Sequence, residues 1–382
     1  MQPSSIAQAP PQQQIRKILI VTDTWRDTNG VNTTLRQTLA TGRRRGYAFA
    51  VLHPGLFARL PNPFYRQYSH ALPNPWRARR LLQHIQPDAV HIATEGPLGV
   101  TIRRECLKRG WRFTTSFHTR WDEHGKHLIS LPPALVWKWL RWFHSQAWRV
   151  LTPTRSVVAL LRQQGFEQPL ILWERGIDMQ LFHPRPRTHH SVQRPILLYV
   201  GRISREKNLP AFLNLAVAGT KYIVGDGPLL AELRHLYDAD IAAGRMVFFG
   251  ELKGQALARL YTEADVFVFP STTDTFGNVI LEALASGVPV AAYPISGPAD
   301  ILTNQDVGAM HADLRQAVQV ALIHGRPDAC LALAQRYTWE AATEQFLRAI
   351  VPIQPIAYSS TAKTTAPRRP PTITWERVCL LR

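Results

Sequence analysis

Short apolar runs alternate with longer helical stretches along most of this 382-residue chain. In the first half the runs that predict buried strands cover residues 17–23, 48–53, 88–93, 112–117 and 149–153. Helical patterns lie between them, for example over 32–46 and 135–148. This alternation is typical of a parallel sheet with helices on both faces, and it therefore predicts an α/β fold.

The pattern restarts at Pro195, with further apolar runs at 196–200, 222–224, 246–249, 266–269 and 289–292. Two successive sets predict two doubly wound, Rossmann-like domains, over residues 15–182 and 195–336, with a Pro- and Arg-rich linker near 182–194. Residues 1–14 are rich in Gln and Pro, and residues 355–382 in Pro, Ser, Thr and Arg. Both ends are predicted to be disordered.

The positive charge is concentrated in the first half of the chain. Residues 1–180 carry 25 lysines and arginines against 10 aspartates and glutamates, whereas residues 181–354 carry 15 against 16. The first half is thus expected to meet an acidic partner, and nucleic acid, an anionic membrane surface or a phosphorylated acceptor would each fit. Three cysteines, no signal-peptide layout and no apolar run of about 18–20 residues favour the cytoplasm.

Residues 270–290 are the most informative stretch. A buried strand ends at Pro270, a polar loop with Asp274 and Gly277 follows, and a helix containing Glu282 comes next. A helix N-terminus after a parallel strand is a ready site for a phosphorylated ligand. The two carboxylates could hold hydroxyls of a sugar and a ribose, so the segment predicts an enzyme that uses a nucleotide-sugar.

Three other loops carry candidate residues in the second half. Gly201 opens a loop in which Arg202 and Lys207 could converge on a departing diphosphate, although the same pair also fits a solvated loop. The loops with Gly225 and Leu252 could frame a base and ribose.

In the first half, Gly30 would let a diphosphate or sugar approach the backbone. His118 follows a strand, where open α/β sheets place ligand contacts. The spacing of His118, His124 and His127 matches no metal pattern, and the pair Asp238 and Asp240 is predicted to end a solvated helix. We therefore expect no metal. The Trp-rich segment 137–148 could lie in a membrane interface, but core packing is favoured.

Taken together, these segments resemble the family-4 retaining glycosyltransferases of the GT-B fold. The resemblance spans about residues 17–350 and is nearest to the branch of GDP-mannose-dependent mannosyltransferases and sulfoquinovosyl- or glucosyl-lipid synthases. The motifs that carry it are Thr-Asp-Thr-Trp (22–25) with Asn-Gly-Val (29–31), Phe-His-Thr (117–119), Trp-Glu-Arg-Gly-Ile-Asp (173–178), Tyr-Val-Gly-Arg (199–202) with Glu-Lys-Asn (206–208), Val-Gly-Asp-Gly-Pro (224–228) and Thr-Asp-Thr-Phe-Gly-Asn-Val-Ile-Leu-Glu-Ala (273–283).

The resemblance implies two Rossmann-like domains around a cleft, with the donor on the second, the acceptor on the first and a C-terminal helix (337–352) returning to the first. It implies Arg202 and Lys207 on the diphosphate, Glu282 on the ribose and the backbone of Phe276, Gly277, Asn278 and Val279 on sugar or phosphate. Asp274 stands where the family usually has Glu, and Gly30 and His118 match the family's glycine and sugar-facing histidine.

The expected activity is metal-independent transfer of a hexose with retention of configuration, in which the leaving diphosphate takes the acceptor's proton. GDP-mannose is favoured over UDP-sugars as donor, and a lipid, glycolipid or glycan at the inner membrane face is the expected acceptor. A basic nucleic-acid-binding protein explains the charge but not the carboxylate pair. A GT-B epimerase remains an enzymatic alternative, and a phosphorylase lacks a recognisable cofactor lysine.

Overall fold

The structure is a computed structural model that describes residues 15–25, 29–61, 69–121, 132–188 and 192–353. The two ends predicted to be disordered, together with His124 and His127, lie outside the described residues.

The first sheet has six strands, all parallel, in the order β2-β1-β5-β6-β7-β8. Its strands are β1 (Lys17–Val21), β2 (Ala48–Leu52), β5 (Ala89–Ile92), β6 (Thr114–Ser116), β7 (Arg149–Thr152) and β8 (Leu170–Leu172). A separate antiparallel pair joins β3 (Ala58–Pro61) to β4 (Ser69–Leu72). The helices among these strands are α1 (Gly30–Arg44), α2 (Pro75–Ile85), α3 (Pro97–Lys108), α4 (Pro133–His144) and α5 (Arg155–Gln163), with a 3-10 turn at Pro54–Leu56.

The second sheet repeats the design with the order β11-β10-β9-β12-β13-β14, again all parallel. Its strands are β9 (Ile196–Val200), β10 (Thr220–Val224), β11 (Met246–Gly250), β12 (Val266–Phe269), β13 (Val290–Ala292) and β14 (Gly308–Met310). The helices are α6 (Leu209–Leu213), α7 (Leu230–Leu236), α8 (Asp238–Ala242), α9 (Gly254–Glu263), α10 (Asn278–Ala285), α11 (Pro298–Ile301), α12 (Leu314–His324), α13 (Pro327–Ala334) and α14 (Trp339–Ala349), with a 3-10 turn at Arg205–Lys207.

The central strands are apolar on both faces because helices cover both faces of each sheet. In β9, Leu198 lies opposite Tyr222 of β10 and opposite Phe267 of β12, and all three side chains are buried. A continuous apolar run, rather than an alternating one, is what such doubly covered strands require. The two predicted Rossmann-like sheets are confirmed by this topology.

The last helix, α14, packs on the first sheet. Phe346 is fully buried, with its ring centroid 4.9 Å from that of Trp173 and 5.1 Å from that of His91. At the surface, Arg45 lies 2.5 Å from the Glu344 carboxylate. The basic run at the end of α1 therefore does more than complement the helix end, because it pairs with α14.

Several elements differ from the sequence-based expectation. The antiparallel pair β3–β4 and the edge strands β8 and β14 were not predicted. The sequences Ala-Arg-Leu-Pro of β3 and Ser-His-Ala-Leu of β4 are not continuous apolar runs, and β14 begins with a glycine. The helix expected over 135–148 ends at His144 and begins at Pro133, a residue type that suits the first turn of a helix. In the part of the chain that the structure describes, no helix has both the length and the apolarity to cross a bilayer.

Candidate active site

The predicted donor residues lie at the carboxyl edge of the second sheet. Strand order reverses beside β9, which has β10 on one side and β12 on the other. Loops that follow these two neighbours diverge, and they leave a crevice where doubly wound sheets bind their ligands. Gly201 follows β9, Gly225 follows β10, and the loop that begins at Pro270 follows β12.

An ion pair at this edge joins Lys207 to Asp274. The lysine Nζ lies 2.7 Å from Oδ2 of Asp274, and both side chains are partly buried. Asn208 reinforces the contact, because its side-chain amide donates to the carbonyl oxygen of Pro270 at 3.2 Å. Two loops 67 residues apart in sequence are thereby held together.

Asp274 is held in its charged form. Burial by itself would raise the pKa of this carboxyl, but the charge and hydrogen bond of Lys207 oppose it, as do the backbone N–H groups of Phe276 and Thr275, and the net pKa is lowered. The N–H groups of Thr275 and Phe276 donate to Oδ1 at 2.8 and 3.3 Å. The Phe276 amide, predicted to contact sugar or phosphate, is therefore already engaged by Asp274.

Helix α10 begins immediately after this loop. Gly277 is its N-cap residue with φ of 86°, a left-handed conformation that favours glycine, and Asn278 and Val279 form the first turn. The first N–H groups of a helix have no partner within the helix, so they can bind an anion. The residues predicted from Gly277 to Val279 thus lie at a helix N-terminus, as the sequence pattern requires.

Glu282 lies one turn further along α10, on the same helix but away from the Lys207 contact. Its Oε2 accepts a hydrogen bond from the hydroxyl of Tyr261 at 2.8 Å. Burial raises the pKa of Glu282 to about 7, and the Tyr261 hydrogen bond opposes that rise. The two predicted carboxylates therefore differ in charge: Asp274 is ionised well below neutrality, whereas Glu282 titrates near it.

The glycine loops stack on one another at the sheet edge. The Gly201 N–H donates to the carbonyl of Val224 at 3.0 Å, and the Gly225 N–H donates to that of Gly250 at 2.8 Å. A Cβ on Gly225 would lie 1.9 Å from the Gly201 carbonyl oxygen, so no other residue fits there without a shift of backbone. Leu252 is partly buried just beyond, against the apolar core.

Arg202 follows Gly201 on the same loop as Lys207. The Tyr199 hydroxyl, fully inside the core, donates to the Arg202 carbonyl oxygen at 2.7 Å and holds this part of the backbone. Arg202 itself is partly buried.

The first sheet contributes Gly30 and His118. Gly30 is the first residue of α1, and the Asn29 side chain caps this helix by accepting from the Asn32 N–H. A Cβ on Gly30 would lie 3.4 Å from the Asn278 side-chain nitrogen, so the N-termini of α1 and α10 approach each other here.

His118 is locked by partners on both ring nitrogens. Arg175 Nη2 lies 3.0 Å from Nδ1, and a guanidinium can only donate, so Nδ1 must be the acceptor. Nε2 therefore carries the hydrogen and donates to the Ser116 hydroxyl at 2.8 Å. Burial lowers the pKa of His118 well below its usual range, and the positive charge of Arg175 lowers it further. The ring is neutral and cannot accept a proton without releasing Arg175.

Arg175 is itself 5% exposed and bridges the two sheets' loops. Its guanidinium carbon lies 5.2 Å from the Trp173 ring centroid and 5.7 Å from that of Phe276. Burial lowers the pKa of Arg175 to about 9, which still leaves the group charged at neutral pH. Close by, the Thr275 hydroxyl donates to the His118 carbonyl oxygen at 2.8 Å. The structure thus brings His118 next to the Asp274 loop.

Sequence reasoning missed Arg175, Ser116, Thr275 and Tyr261. Arg175 was visible inside the motif of residues 173–178, but a single arginine there has no chemical signature until its neighbours are known. Thr275 lies between two predicted residues and Ser116 lies two positions before His118, and no pattern in the sequence distinguishes Tyr261.

Asp238 and Asp240 were expected to end a polar helix, but they lie in the first turn of a separate short helix, α8. Asp240 there lies 2.7 Å from Arg245. Among the residues that the structure describes, no group of three His, Cys, Asp or Glu side chains is arranged to hold a metal ion.

Comparison with known proteins matches both halves of the chain to glycosyltransferase models. Residues 28–181 match Glycosyltransferase Family 4, and residues 194–324 match Glycosyl transferases group 1. A GDP-mannose-dependent alpha-mannosyltransferase of Mycobacterium tuberculosis is 31% identical over 311 residues, which cover 74% of this chain and 80% of the relative. The chain belongs to glycosyltransferase family 4.

Other similarities of this glycosyltransferase agree with its fold and activity. Sulfoquinovosyl transferase SQD2 of Arabidopsis thaliana is 27% identical over 76% of this chain and 62% of the relative. Among solved structures, sucrose-phosphate synthase from Thermosynechococcus elongatus superposes with a TM-score of 0.72 at 17% identity, over 87% of this chain and 98% of the other. The predicted GT-B fold and the hexosyltransferase class are confirmed.

The titration of Glu282 predicts how the stability of this glycosyltransferase depends on pH. Its folded pKa of about 7 lies above the unfolded value of 4.5, so the folded state binds the extra proton between these values. The stability that this group contributes is therefore present at low pH and is lost as pH rises through 7. Glu282→Gln removes this loss. Relative to wild type, the variant should be more stable at pH 8 than at pH 5, and this difference in the free energy of unfolding should reach up to ~3 kcal/mol.

Urea unfolding of wild type and variant at both pH values measures this difference. Glu344→Gln is the matched control, because hydrogen bonds and charges of Arg348 and Arg45 lower the pKa of Glu344. That control should gain no stability at pH 8. An equal gain of Glu282→Gln at pH 5 and pH 8 would show that the carboxyl does not titrate in this range.

Proposed function

We propose that this glycosyltransferase moves a mannosyl group from GDP-mannose to a lipid or glycolipid acceptor, with retention of configuration and without a metal ion. The observation that carries the proposal is the Lys207–Asp274 ion pair at the start of α10. It brings a cation for the diphosphate and a carboxylate for the sugar to one helix N-terminus. His118 of the first sheet meets the same loop through Thr275.

The donor is inferred from both the site and the relatives. Relatives in three bacteria carry the name GDP-mannose-dependent alpha-mannosyltransferase, at 28 to 31% identity. A UDP-sugar is the second candidate. A relative of Streptococcus pneumoniae is named alpha-monoglucosyldiacylglycerol synthase, which supports a glucosyl group as the alternative to mannosyl. These names also support a glycolipid acceptor.

In the proposed reaction, the bond between the anomeric carbon and the leaving phosphate oxygen breaks as a bond to the acceptor oxygen forms on the same face of the sugar. The transition state resembles an oxocarbenium ion. The acceptor's proton passes to the departing diphosphate, which balances the step without a protein base. The His118 ring is neutral and both of its nitrogens are hydrogen-bonded, so it is not placed to take a proton, which agrees with such a mechanism.

Arg202 and Lys207 take the place of a metal in this proposal. Charge develops on the diphosphate as it leaves, and fixed cations stabilise it best where water is excluded. Lys207 is paired with Asp274. Donor binding would exchange this carboxylate for phosphate, so Asp274 would become free to accept from sugar hydroxyls.

A membrane surface is the proposed location of the acceptor. On α4, Leu135, Trp139 and Trp142 are 38 to 53% exposed and follow each other at i, i+4 and i+7, while Trp137 on the opposite face is buried. These three form what we call the α4 apolar stripe. Lys138 and Arg141 of the same helix are also exposed. Exposed tryptophans beside basic side chains suit an anionic interface at the cytoplasmic face.

The nucleotide requirement tests the function directly. We expect GDP, or UDP if the donor is a UDP-sugar, to raise the melting temperature by several degrees, since a ligand that binds only the folded state stabilises it. A short oligonucleotide should not. Radiolabelled GDP-mannose and UDP-glucose, supplied with a bacterial lipid extract, should then give one labelled glycolipid. Stabilisation by the oligonucleotide alone would favour the nucleic-acid alternative. Conversion of the nucleotide-sugar to its epimer, with no labelled glycolipid formed, would favour the epimerase.

The roles of Arg202 and Lys207 predict an unequal effect on rate and binding. Arg202→Met and Lys207→Met should each lower kcat by about 100-fold or more, because the lost interaction strengthens as the leaving group gains charge. The donor Kd should rise much less. Initial-rate kinetics and calorimetric titration separate the two effects.

Arg245→Met is the matched control for these variants. It breaks an ion pair of the same 2.7 Å length, between Arg245 and Asp240, on a surface away from α10. Its kcat should remain within about twofold of wild type. Near-normal turnover of both Arg202→Met and Lys207→Met would refute the assignment.

The α4 apolar stripe predicts binding to anionic vesicles. The wild type should float with phosphatidylglycerol vesicles at low salt and less at high salt, since screening weakens the attraction. Trp139→Ser with Trp142→Ser should lower the bound fraction several-fold. Ile323→Ser, which alters a 74% exposed residue on α12, should leave it unchanged. Equal flotation of both variants would place the membrane contact elsewhere.

A further inference from the structure

Tyr261 is a fully buried tyrosine whose hydroxyl reaches the donor side of the second sheet. It lies on α9, and its ring centroid is 5.7 Å from that of Phe182 and 5.8 Å from that of Phe267. These contacts anchor the ring in the apolar core. The hydroxyl extends past them toward α10, where it lies 2.8 Å from Oε2 of Glu282.

The direction of this hydrogen bond follows from the protonation of Tyr261. Burial raises the pKa of the phenol well above its usual range, and the neighbouring Glu282 charge raises it further. The phenol therefore keeps its hydrogen and donates it to the carboxylate. The same hydroxyl lies 3.4 Å from the carbonyl oxygen of Val279, in the first turn of α10. One group thus contacts both the carboxylate and the start of the helix.

Among the described residues, Oε2 of Glu282 accepts from Tyr261 and no donor is found at Oε1. Oε2 receives the Tyr261 hydrogen, and the carboxylate plane is thereby oriented. The hydroxyls of a ribose could then donate to the remaining lone pairs, mainly those of Oε1. A carboxylate at the edge of an apolar core needs such a donor, because burial otherwise favours its neutral form.

We infer that Tyr261 is a positioning residue that orients the Glu282 carboxylate, through the hydrogen bond to its Oε2, for the ribose hydroxyls of the nucleotide donor. The inference rests on the proposed function, since it takes Glu282 as the ribose contact. It adds a residue from α9, a helix outside the loops at the sheet edge, to the recognition of the donor.

Other charged groups near α10 are occupied by partners of their own. Glu263 of α9 accepts from Thr188, Asp328 of α13 pairs with Arg326, and Asp274 pairs with Lys207. Among the described side chains, it is Tyr261 that hydrogen-bonds the Glu282 carboxyl. The charge of Glu282 should therefore respond to this phenol more than to any of those groups.

The pH dependence of nucleotide affinity tests the inference. We would titrate the full-length wild type and Tyr261→Phe with GDP, and with 2′,3′-dideoxy-GDP, between pH 6 and pH 9 by calorimetry. UDP and its dideoxy analogue replace them if the protein prefers UDP. The two ligands carry the same phosphates, so the ratio of their affinities reports on the ribose hydroxyls alone.

In the wild type this ratio should be largest above pH 7 and fall as Glu282 becomes protonated. Tyr261→Phe removes a donor that favours the charged form, so the midpoint should move to higher pH. At pH 7 the affinity for GDP should fall by about tenfold. At pH 9, where Glu282 is charged in both proteins, a smaller loss should remain because the carboxylate is no longer oriented. Glu282→Gln should give a ratio that does not vary with pH.

The remaining outcomes each decide a different question. Loss of dideoxy-GDP binding by Tyr261→Phe would mean that the tyrosine merely supports the fold, and it would overturn the inference. An unchanged midpoint would overturn it as well. If the wild type bound neither GDP nor UDP at any pH, the proposed function itself would fail, which distinguishes that failure from failure of the Tyr261 role.

Discussion

The arrangement of this protein depends on the parallel direction of all strands in both six-stranded sheets. Parallel strands are joined by helical crossovers, so the carboxyl ends of all strands lie at the same edge of the sheet. The loops that leave this edge are free to differ in sequence. That edge collects residues far apart in the chain. Lys207 after β9 and Asp274 after β12 meet at 2.7 Å for this reason.

Buried polar groups at the site are paired in ways that set their charge. Asp274 is stabilised as an anion by Lys207 and two backbone N–H groups, whereas Glu282 receives a hydrogen bond from Tyr261 and titrates near neutrality. His118 is kept neutral between Arg175 and Ser116. A desolvated charge is costly unless it is paired. The site therefore contains one firmly charged carboxylate and one whose charge depends on pH, and both lie on or next to α10.

Much of the fold was predictable from sequence because buried parallel strands leave a clear signal. Runs such as residues 196–200 and 266–269 are apolar without interruption, and helices separate them. The pair β3–β4 was not predicted because its sequences, Ala-Arg-Leu-Pro and Ser-His-Ala-Leu, are not continuous apolar runs, and β14 begins with a glycine. The glycines 201, 225 and 277 were predictable as loop residues, but the close approach of Gly225 to the Gly201 carbonyl is a property of the stacked loops alone.

The sequence by itself determined the family, the two-sheet architecture and the candidate residues Lys207, Asp274 and Glu282, because these follow from local order along the chain. Tertiary structure alone decided their partners and charges. Arg175 meets His118 across 57 residues, and Tyr261 meets Glu282 across 21. Protonation depends on burial and on neighbours within a few ångströms, and no linear pattern records which side chains those neighbours are.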